Sequence, residues 1–436
     1  MSEPNPPAVR PKKILIPTLL GIFFLLYLIE AYPGWLVLII GLGGAWGGSW
    51  WWVRTLARSL RLTRSRRFGW AQVGDRLEER FTLLNEGWLP GLWVEMTYTT
   101  TMPDYRPHRV VYVGGSSETT WIAEGMCTQR GQFTLGPIEL RVGDPFGFFE
   151  SVIEIPGVQD ILVMPPILPL PGIEIAAGGK AGERTPRFST LEQKITSSMV
   201  REYVAGDSLK GVHWPTTARR NKWYIRNFDS PLASDWWVFL DVNTETLMGT
   251  GSQSTLEHSV ILTASLLHQG MDGGNQVGLA CSSETFTWLK PSRGTDHLQN
   301  GLRVLAKVEP GYESLTGLLT RAQSLFQRNP SLVLVTADIS GEWLSPLSTL
   351  MASGVVPTVL LLDPSAYPDA EPALIDATKR FIQTLAERGI HVYRYDPAHF
   401  DREELRPGRE GRDLFIASSS NRSVLREGVD LRWRDV

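Results

Sequence analysis

Two long runs without a charged residue near the start of the chain predict a pair of membrane-spanning helices. The first run covers residues 14–29 and the second residues 31–53, with Pro33-Gly34 between the apolar stretches as a turn. Each run roughly meets the ~20 mostly apolar residues that a helix needs to cross the hydrocarbon core of a bilayer. A cleaved signal peptide is the competing interpretation, but it accounts for the first run only.

The charges around these runs predict their orientation. Arg10, Lys12 and Lys13 precede the first run, and the connecting loop carries only Glu30. Six arginines follow the second run or lie at its end: Arg54, Arg58, Arg61, Arg64, Arg66 and Arg67. Because basic flanks stay on the cytoplasmic side, we expect a two-pass protein of the cell (inner or cytoplasmic) membrane with both termini and all soluble domains in the cytoplasm.

Small residues four apart in the second run, such as Gly43 with Gly47 and Gly44 with Gly48, allow close helix packing. Packing inside the hairpin and self-association of two copies through the second helix are both open interpretations.

From residue 69 to 165 the chain alternates between polar and apolar positions over short segments bounded by Gly, Pro, Asn and Asp. This pattern predicts a small antiparallel β-sandwich. The predicted strands cover residues 77–84, 92–100, 109–113, 119–123 and 132–140.

After a linker the period changes to strands alternating with helices, which predicts a doubly wound, mostly parallel α/β domain. The expected divisions are a transmembrane hairpin with a basic juxtamembrane segment (1–68), the β-sandwich (69–165), a linker segment (166–230), the α/β domain (231–400) and a charged tail (401–436). Strands are expected over 236–241, 276–281, 331–337, 355–362 and 391–395, and helices over 255–269, 296–307, 314–327, 343–352 and 372–388.

Composition narrows the function classes. The 436 residues carry a formal net charge of −3, which gives no reason to expect nucleic acid as a partner. The two cysteines, Cys127 and Cys281, form neither a disulfide framework nor a metal-knuckle spacing. Sequence motifs of serine hydrolases, zinc proteases and P-loop enzymes are missing, so we expect no enzymatic activity; a hydrolase of an unrecognised kind is kept as an alternative.

The segment from Arg201 to Asp207 reads R-E-Y-V-A-G-D and is followed by Val212-His213-Trp214 and Ala218-Arg219. Together with the upstream blocks 130–137 and 144–147, it resembles the signature of the bacterial "domain of unknown function 58" family. The resemblance implies a membrane-anchored protein with a C-terminal von Willebrand factor A-like domain. It also implies partnership with a MoxR-type AAA+ ATPase. Lys210 departs from the family pattern, which usually has arginine there.

The signature combines charges of both signs with aromatic side chains. Such a set suits either a hydrogen-bonded joint between domains or a contact site for a partner or an anionic ligand. Its candidate residues are Arg201, Glu202, Tyr203, Gly206, Asp207, His213, Trp214 and Arg219.

Von Willebrand factor A-like domains often hold Mg²⁺ through a D-x-S-x-S loop after the first strand. The corresponding residues here are Asp241, Asn243 and Glu245, with Asp338 as a further candidate from a neighbouring loop. Their oxygen atoms suit a hard cation, although the two serines are lost. The alternative is an abandoned site whose Asp241 only caps the next element, so no cofactor is expected and Mg²⁺ binding stays an alternative.

These observations predict a membrane-anchored, non-enzymatic scaffold or adaptor in complex assembly or envelope maintenance. Its expected partners are the lipid bilayer and another protein, with the MoxR-type ATPase implied by the resemblance. A Mg²⁺-dependent, adhesion-type ligand-binding protein is the second hypothesis.

Overall fold

The computed structural model describes residues 8–66, 69–170, 173, 175, 199–202, 214–220, 222–227, 235–283, 285–326, 330–400 and 434–435. The chain divides into two compact units. The first comprises Met1–Pro166, Leu302–Lys307 and Asp401–Val436, and the second Ile167–Gly301 and Val308–Phe400.

A helical hairpin opens the first unit, with α1 at Leu15–Ile29 and α2 at Pro33–Ser59. Pro33 is the first residue of α2, where its missing N–H would have no partner in any case. The helices contact each other through Phe23 and Trp35, whose rings stack with centroids 5.8 Å apart. Within the described residues, α2 alone is long and apolar enough to cross a membrane, with a mean hydropathy of 1.3 over its best window. The 15-residue α1 is apolar but shorter, so two spans stay a prediction.

The last two turns of α2 belong to the core of the β-sheet region. Val53, Leu56 and Ala57 are buried in the same hydrophobic cluster as residues of the strands, whereas most residues earlier in the helix are exposed or half-buried. The first part of α2 is therefore apolar and largely exposed, here called the open part, and its last part packs against the sheets.

Two sheets form the rest of the described first unit. Their strands are β1 (Val9–Pro11), β2 (Leu60–Arg66), β3 (Trp70–Gln72), β4 (Arg76–Asn85), β5 (Gly91–Thr100), β6 (His108–Val113), β7 (Ser117–Met126), β8 (Gly131–Gly143), β9 (Phe149–Ile155) and β10 (Gln159–Met164). In the larger sheet the order is β1-β9-β8-β10-β3, with β5 beside β8 and β6 beside β5. In the smaller sheet β2 and β7 flank β4, and a two-residue strand, Arg434–Asp435, extends the edge beside β2.

The larger sheet is mixed rather than purely antiparallel, because β10 and β3 run parallel. The prediction of an antiparallel sandwich was wrong in this respect. Strand β3 is at the edge of the sheet, where Trp70 lies opposite Leu162 of β10.

A second difference concerns the basic segment before residue 69. Residues 60–66 form β2 and pair with β4, so part of the segment predicted to be juxtamembrane lies in the sheet. Arg64 is buried there because a carboxylate faces it: its Nε lies 4.0 Å from Oε1 of Glu79. The hydroxyl of Tyr105 donates to the other oxygen of Glu79 at 2.7 Å, and the Arg64 guanidinium hydrogen-bonds the hydroxyl of Tyr98.

Three short elements follow β10 in the sequence and precede the main α/β sheet: β11 (Met199–Glu202), α3 (Trp214–Arg220) and β12 (Tyr224–Asn227). Strands β11 and β12 pair antiparallel, with Arg201 opposite Ile225 and Glu202 opposite Tyr224.

Six described strands form the sheet of the second unit: β13 (Asp235–Leu240), β14 (Gln276–Ser282), β15 (Phe286–Ser292), β16 (Ser331–Thr336), β17 (Val356–Leu362) and β18 (His391–Tyr395). The order is β15-β14-β13-β16-β17-β18, and every pair is parallel except β14 with β15. The predicted α/β arrangement with a mostly parallel sheet is confirmed in this region, although the edge strand β15 was not predicted.

Helices cover both faces of this sheet: α4 (Thr255–Asp272), α5 (Thr295–Ala306), α6 (Leu315–Leu325), α7 (Leu344–Ala352) and α8 (Ala373–Glu387). Trp237 and Phe239 of β13 point into the core formed with α6, α7 and α8. Their neighbour Trp236 points to the opposite face, where it lies so close to Gly270 of α4 that a side chain there would collide with it. Because successive side chains point to opposite faces, β13 contributes to the hydrophobic core on each side of the sheet.

Candidate functional site

The second unit gathers polar side chains at the carboxyl ends of its parallel strands, here called the carboxyl edge. Asp241 follows β13 directly, and Asp338 comes two residues after β16 ends at Thr336. The strand order reverses between β13 and β16, because β14 lies on one side of β13 and β16 on the other. In open α/β sheets such a reversal leaves a crevice where ligands commonly bind.

Hydrogen bonds hold Asp241 and its neighbours together. Oδ2 of Asp241 accepts a hydrogen bond from the Thr336 hydroxyl at 2.6 Å, and Oδ1 accepts one from the Asn243 N–H at 3.1 Å. The Thr336 hydroxyl in turn accepts from the N–H of Asp338 at 2.9 Å. Asp241 is only 4% exposed. The structure therefore brings together Asp241, Thr336 and Asp338, from two neighbouring strands.

Burial raises the pKa of the Asp241 carboxyl from 3.8 to about 6. The hydrogen bonds from Thr336 and Asn243 oppose this rise, and the nearby Asp338 adds to it. Desolvation is the largest cause of the raised pKa. A cation that approached the carboxylate would lower the pKa again, because a nearby positive charge favours the charged form.

The remaining candidates of the metal hypothesis are directed elsewhere. Oδ1 of Asn243 accepts from the N–H of Glu245 at 3.2 Å, so Asn243 caps the short helical turn Thr244–Thr246. Glu245 itself is exposed. Oδ1 of Asp338 accepts from the N–H of Ser340 at 2.7 Å. Over the part of the chain that the structure describes, no three His, Cys, Asp or Glu side chains form a group that could hold a metal ion.

A second loop, residues 308–314, is fixed to the Asp241 loop and is here called the Tyr312 loop. The N–H of Gly311 donates to the carbonyl of Val242 at 2.8 Å, and the N–H of Thr244 donates back to the carbonyl of Gly311 at 2.8 Å. The hydroxyl of Thr244 adds a third bond to the same carbonyl at 2.9 Å. The next residue, Tyr312, is 92% exposed.

Side chains on the other flank also hold the Tyr312 loop. The Ser282 hydroxyl, at the end of β14, hydrogen-bonds one oxygen of Glu313, and Nε of Arg321 lies 2.9 Å from the other. The Arg321 guanidinium lies over the ring of Phe286 at 5.0 Å. These contacts hold the Tyr312 loop in place, and the loop exposes one aromatic side chain. Sequence reasoning missed it; an isolated tyrosine between Gly311 and a glutamate in a Pro/Gly loop was the available signal.

We expect Gly311→Ala to destabilise the second unit by about 1–3 kcal/mol, as overpacking does. A Cβ at this position would lie 2.2 Å from the carbonyl oxygen of Ser282, a backbone atom that cannot move away alone. The urea midpoint of the purified protein is the measurement.

The matched control is Gly317→Ala in α6, where the three atoms nearest the added methyl belong to the Glu313 side chain, the closest at 3.1 Å. Alanine is a better helix former than glycine by about 1 kcal/mol, so this variant is expected to be neutral or stabilising. Equal midpoints for the two variants would contradict the close approach at Gly311.

A further buried carboxylate at the same edge is neutralised within the chain. Asp363 follows β17 and accepts hydrogen bonds from Nε of Arg394 at 2.7 Å and from the Ser365 N–H at 2.9 Å. Because its charge is paired, Asp363 is a less suitable ligand group than Asp241.

The signature residues lie largely outside what the structure describes. Tyr203, Gly206, Asp207 and His213 are outside the described residues, and the side chains of Arg201, Glu202 and Trp214 are as well. Arg219 is exposed on α3. Next to it the Arg220 guanidinium lies 5.6 Å from the centre of the Tyr224 ring. The choice between a domain joint and a contact site therefore stays open.

Comparisons with known proteins give relatives without an assigned role. The chain is 24% identical over 204 residues to the uncharacterized protein Rv1480 of Mycobacterium tuberculosis. The aligned region covers 45% of this chain and 63% of that protein. The chain is 24% identical over 264 residues to the uncharacterized protein YeaD of Bacillus subtilis, covering 57% of this chain and 62% of that one. In both cases it spans less than two thirds of the relative.

Similarity to solved structures is loose. A crystal structure of an aerotolerance-related membrane protein from Bacteroides fragilis matches with 18% identity and a TM-score of 0.29, over 38% of this chain and 92% of that one. A superposition of that quality defines no shared fold.

The signature region gives the decisive match. A family model described as "Protein of unknown function DUF58" covers residues 199–378, which include β11, α3 and the strands that carry Asp241 and Asp338. Over residues 199–378 the chain matches the DUF58 family, as its R-E-Y-V-A-G-D segment predicts.

Proposed function

We propose that the protein is a membrane-anchored, non-enzymatic scaffold that binds a protein partner through the carboxyl edge of its α/β domain. The observation that carries this proposal is the Tyr312 loop, which presents an almost fully exposed aromatic side chain on a braced backbone.

Two features support the anchor. The most apolar 18-residue window of α2 has a mean hydropathy of 1.3 and is only 11% buried within the protein, so most of it is open to lipid. Strand β1, before the hairpin, pairs with β9, with Val9 opposite Ser151. That pairing favours two passes of the hairpin, because the residues before α1 and the domain after α2 share one sheet. With the basic flanks, the favoured side is the cytoplasm.

The topology of the second unit supports a von Willebrand factor A-like fold. A doubly wound, mostly parallel sheet is the arrangement that the family resemblance implies, and the observed sheet adds an antiparallel edge strand next to β14. The resemblance, rather than the strand order alone, favours this fold over other doubly wound domains.

The chemistry of the carboxyl edge favours protein binding over catalysis. Each oxygen of Asp241 already accepts a hydrogen bond from the chain itself, and Asp363 is paired with Arg394. Tyrosine, by contrast, is enriched among the residues that dominate binding energy at protein interfaces. Exposed Glu245 lies close in sequence to Thr244, which is bonded to the Tyr312 loop, and gives the same surface an acidic element.

The proposed partner is a MoxR-type AAA+ ATPase, as the family resemblance implies, in complex assembly or envelope maintenance. The test is binding of the ATPase to the full chain in lipid nanodiscs, measured by biolayer interferometry. We expect Tyr312→Ala to weaken binding on the order of 30-fold, the effect of losing about 2 kcal/mol at an interface hot spot.

The matched control is Tyr112→Ala, which removes the same type of exposed side chain from β6 of the first unit. It is expected to bind as the unaltered protein does. Equal loss in both variants, or steady turnover of an ester or nucleotide by the chain alone, would contradict the scaffold; the second outcome would favour the hydrolase alternative.

The proximity of Asp241, Thr336 and Asp338 favours a second candidate, a Mg²⁺-dependent ligand-binding protein. Under this hypothesis Asp241 and Asp338 hold the ion with Asn243, and Glu245 turns inward. Calorimetric titration of Mg²⁺ into the full chain and into Asp241→Ala tests it. Binding that disappears in the variant supports the metal hypothesis, and no heat in either protein contradicts it.

A further inference from the structure

Large apolar side chains are exposed at one end of the β-sheet region of the first unit. Trp88 is 69% exposed in the turn between β4 and β5, and Phe146 is 67% exposed in the turn between β8 and β9. Leu92 and Trp93 at the start of β5 are about half exposed. These four residues are here called the apolar rim. Surface patches of this kind mark interaction sites more often than singly scattered apolar residues do.

The apolar rim lies beside the hairpin. The ring of Trp88 is 6.0 Å from the ring of Trp51 in α2, and Trp46 of the same helix contacts Phe149, the first residue of β9. On the α1 side, the N–H of Lys12 donates to the carbonyl of Phe148 at 2.8 Å. The rim is thus at the level where the open part of α2 ends.

The local structure holds these side chains outward. The buried carboxylate of Asp144 accepts hydrogen bonds from the N–H groups of Phe146 at 2.9 Å and Phe149 at 2.7 Å. Gly147 completes the turn with φ +72°, a conformation that favours glycine. The backbone of the turn is thus fixed, and the ring of Phe146 stacks on that of Phe148 with centroids 5.6 Å apart while it stays 67% exposed.

Cations accompany the aromatic rings. Nζ of Lys12 lies 5.4 Å from the centre of the Trp93 ring, and the Arg54 guanidinium lies 5.2 Å from that of Trp50. Indole rings beside lysine and arginine are typical of the membrane–water interface, where the ring lies among lipid head groups and the cation meets anionic lipid.

We propose that the apolar rim is a second membrane contact, in which Trp88, Trp93 and Phe146 insert into the head-group layer around the hairpin. The contact fixes the height and tilt of the β-sheet region above the bilayer, which the hairpin alone would leave free. The occupant is lipid rather than another protein, because the neighbouring Trp51 belongs to the apolar helix that enters the membrane. This inference rests on the proposed anchor.

Site-specific fluorescence tests the contact. The full chain carrying Phe146→Cys is labelled with an environment-sensitive fluorophore and reconstituted in phosphatidylcholine vesicles with about 30% phosphatidylglycerol. Natural Cys127 and Cys281 are buried, and burial raises the pKa of both thiols, so they react slowly at neutral pH. We expect spin-labelled lipid to quench the label at position 146 at least about twofold more than a label in water.

The matched control is Val158→Cys, at a residue that is 61% exposed beyond the other end of β9. The six steps from Phe149 to Ile155 span about 20 Å, so this label is expected to stay in water. Trp88→Cys is the second rim variant, used if Phe146→Cys does not fold.

Flotation of the same samples separates the two proposals. Protein that floats with vesicles but shows equal quenching at positions 146 and 158 overturns the rim contact and leaves the anchor intact. A concentration-dependent blue shift without lipid quenching would overturn it in favour of a second copy of the chain. Protein that does not float overturns the anchor, and the rim contact with it.

Discussion

Glu79→Gln is expected to destabilise the first unit by about 3–5 kcal/mol, the usual cost of removing one partner of a buried ion pair. Glu79 has no exposed surface, and it is the carboxylate that faces both Arg64 and Arg66. Burial lowers the pKa of Arg66, and the Glu79 charge opposes that effect. Glutamine keeps the shape and still accepts from Tyr105, but it leaves two buried guanidinium groups close together without a counter-charge.

The urea midpoint of the purified protein in detergent, followed by pulse proteolysis, measures this loss. The control is Glu118→Gln, an exposed carboxylate on the neighbouring strand β7, where surface substitutions change stability by less than about 0.5 kcal/mol. The double variant Arg64→Met with Glu79→Gln is expected to lose less than the sum of the single variants, because the two sites interact directly. A midpoint for Glu79→Gln equal to that of the control would show that the pair is not buried as described.

Asp241→Asn is expected to make the second unit more stable than the unaltered protein at neutral pH, by up to about 3 kcal/mol. The folded state holds the pKa of Asp241 at about 6, above the ordinary value of 3.8. A carboxyl with a raised folded pKa contributes its full stability below its unfolded pKa and loses it as pH rises through the folded pKa. Each pH unit between the two values corresponds to about 1.4 kcal/mol. Asparagine stays neutral throughout, so it avoids the loss, but its NH2 group replaces one accepting oxygen and lowers the gain by about 1 kcal/mol, the net contribution of one hydrogen bond.

The measurement is the difference in unfolding free energy between the variant and the unaltered protein from about pH 4 to pH 7.5, the window around the two pKa values. The difference should grow in favour of the variant as pH rises and then level off above about pH 7. Asp376→Asn on α8, an exposed carboxylate, is the control and should give a flat difference. A flat difference for Asp241→Asn as well would contradict the desolvated carboxyl. With Mg²⁺ bound, the curve would instead favour aspartate.

Sequence periodicity predicted much of the second unit. Strand β18 lies at His391–Tyr395, as expected, and β13, β14, β16 and β17 agree within one residue at nearly every end. These strands are buried on both faces and read as continuous apolar runs. The edge strand β15 was missed because Phe286–Ser292 is half exposed and ends in Lys290-Pro291-Ser292, which is untypical of a central strand.

The first unit was harder to predict where elements are short or pair across long distances. Strand β1 has three residues and gives no periodicity, and β2 is rich in arginine. Arg64 is accommodated in a sheet because it faces Glu79, a contact that forms only in the folded protein. A fragment starting at residue 69, the predicted boundary, would delete β2 and leave Glu79 buried opposite an empty strand position.

Part of the candidate site was visible in the sequence. The family resemblance, through its D-x-S-x-S loop, singled out Asp241, and the position of Asp338 after a predicted strand made it the further candidate. The sequence could not predict the Tyr312 loop, because Thr244 and Gly311 are 67 residues apart and meet only when the helices between them have packed. Loop contacts of this kind follow from tertiary structure and carry no periodic signal.

The pairing of β1 with β9 joins a strand that is synthesised before the hairpin to one that is synthesised long after it. Val9 leaves the ribosome well before its partner Ser151. Strand β1 therefore stays unpaired until α1, α2 and most of the strands have emerged. In the proposed membrane arrangement, the helices enter the bilayer first and the sheet closes behind them. Once β1 has paired with β9, both ends of the hairpin are fixed to one sheet, so neither helix can reverse its orientation in the membrane unless the sheet edge opens.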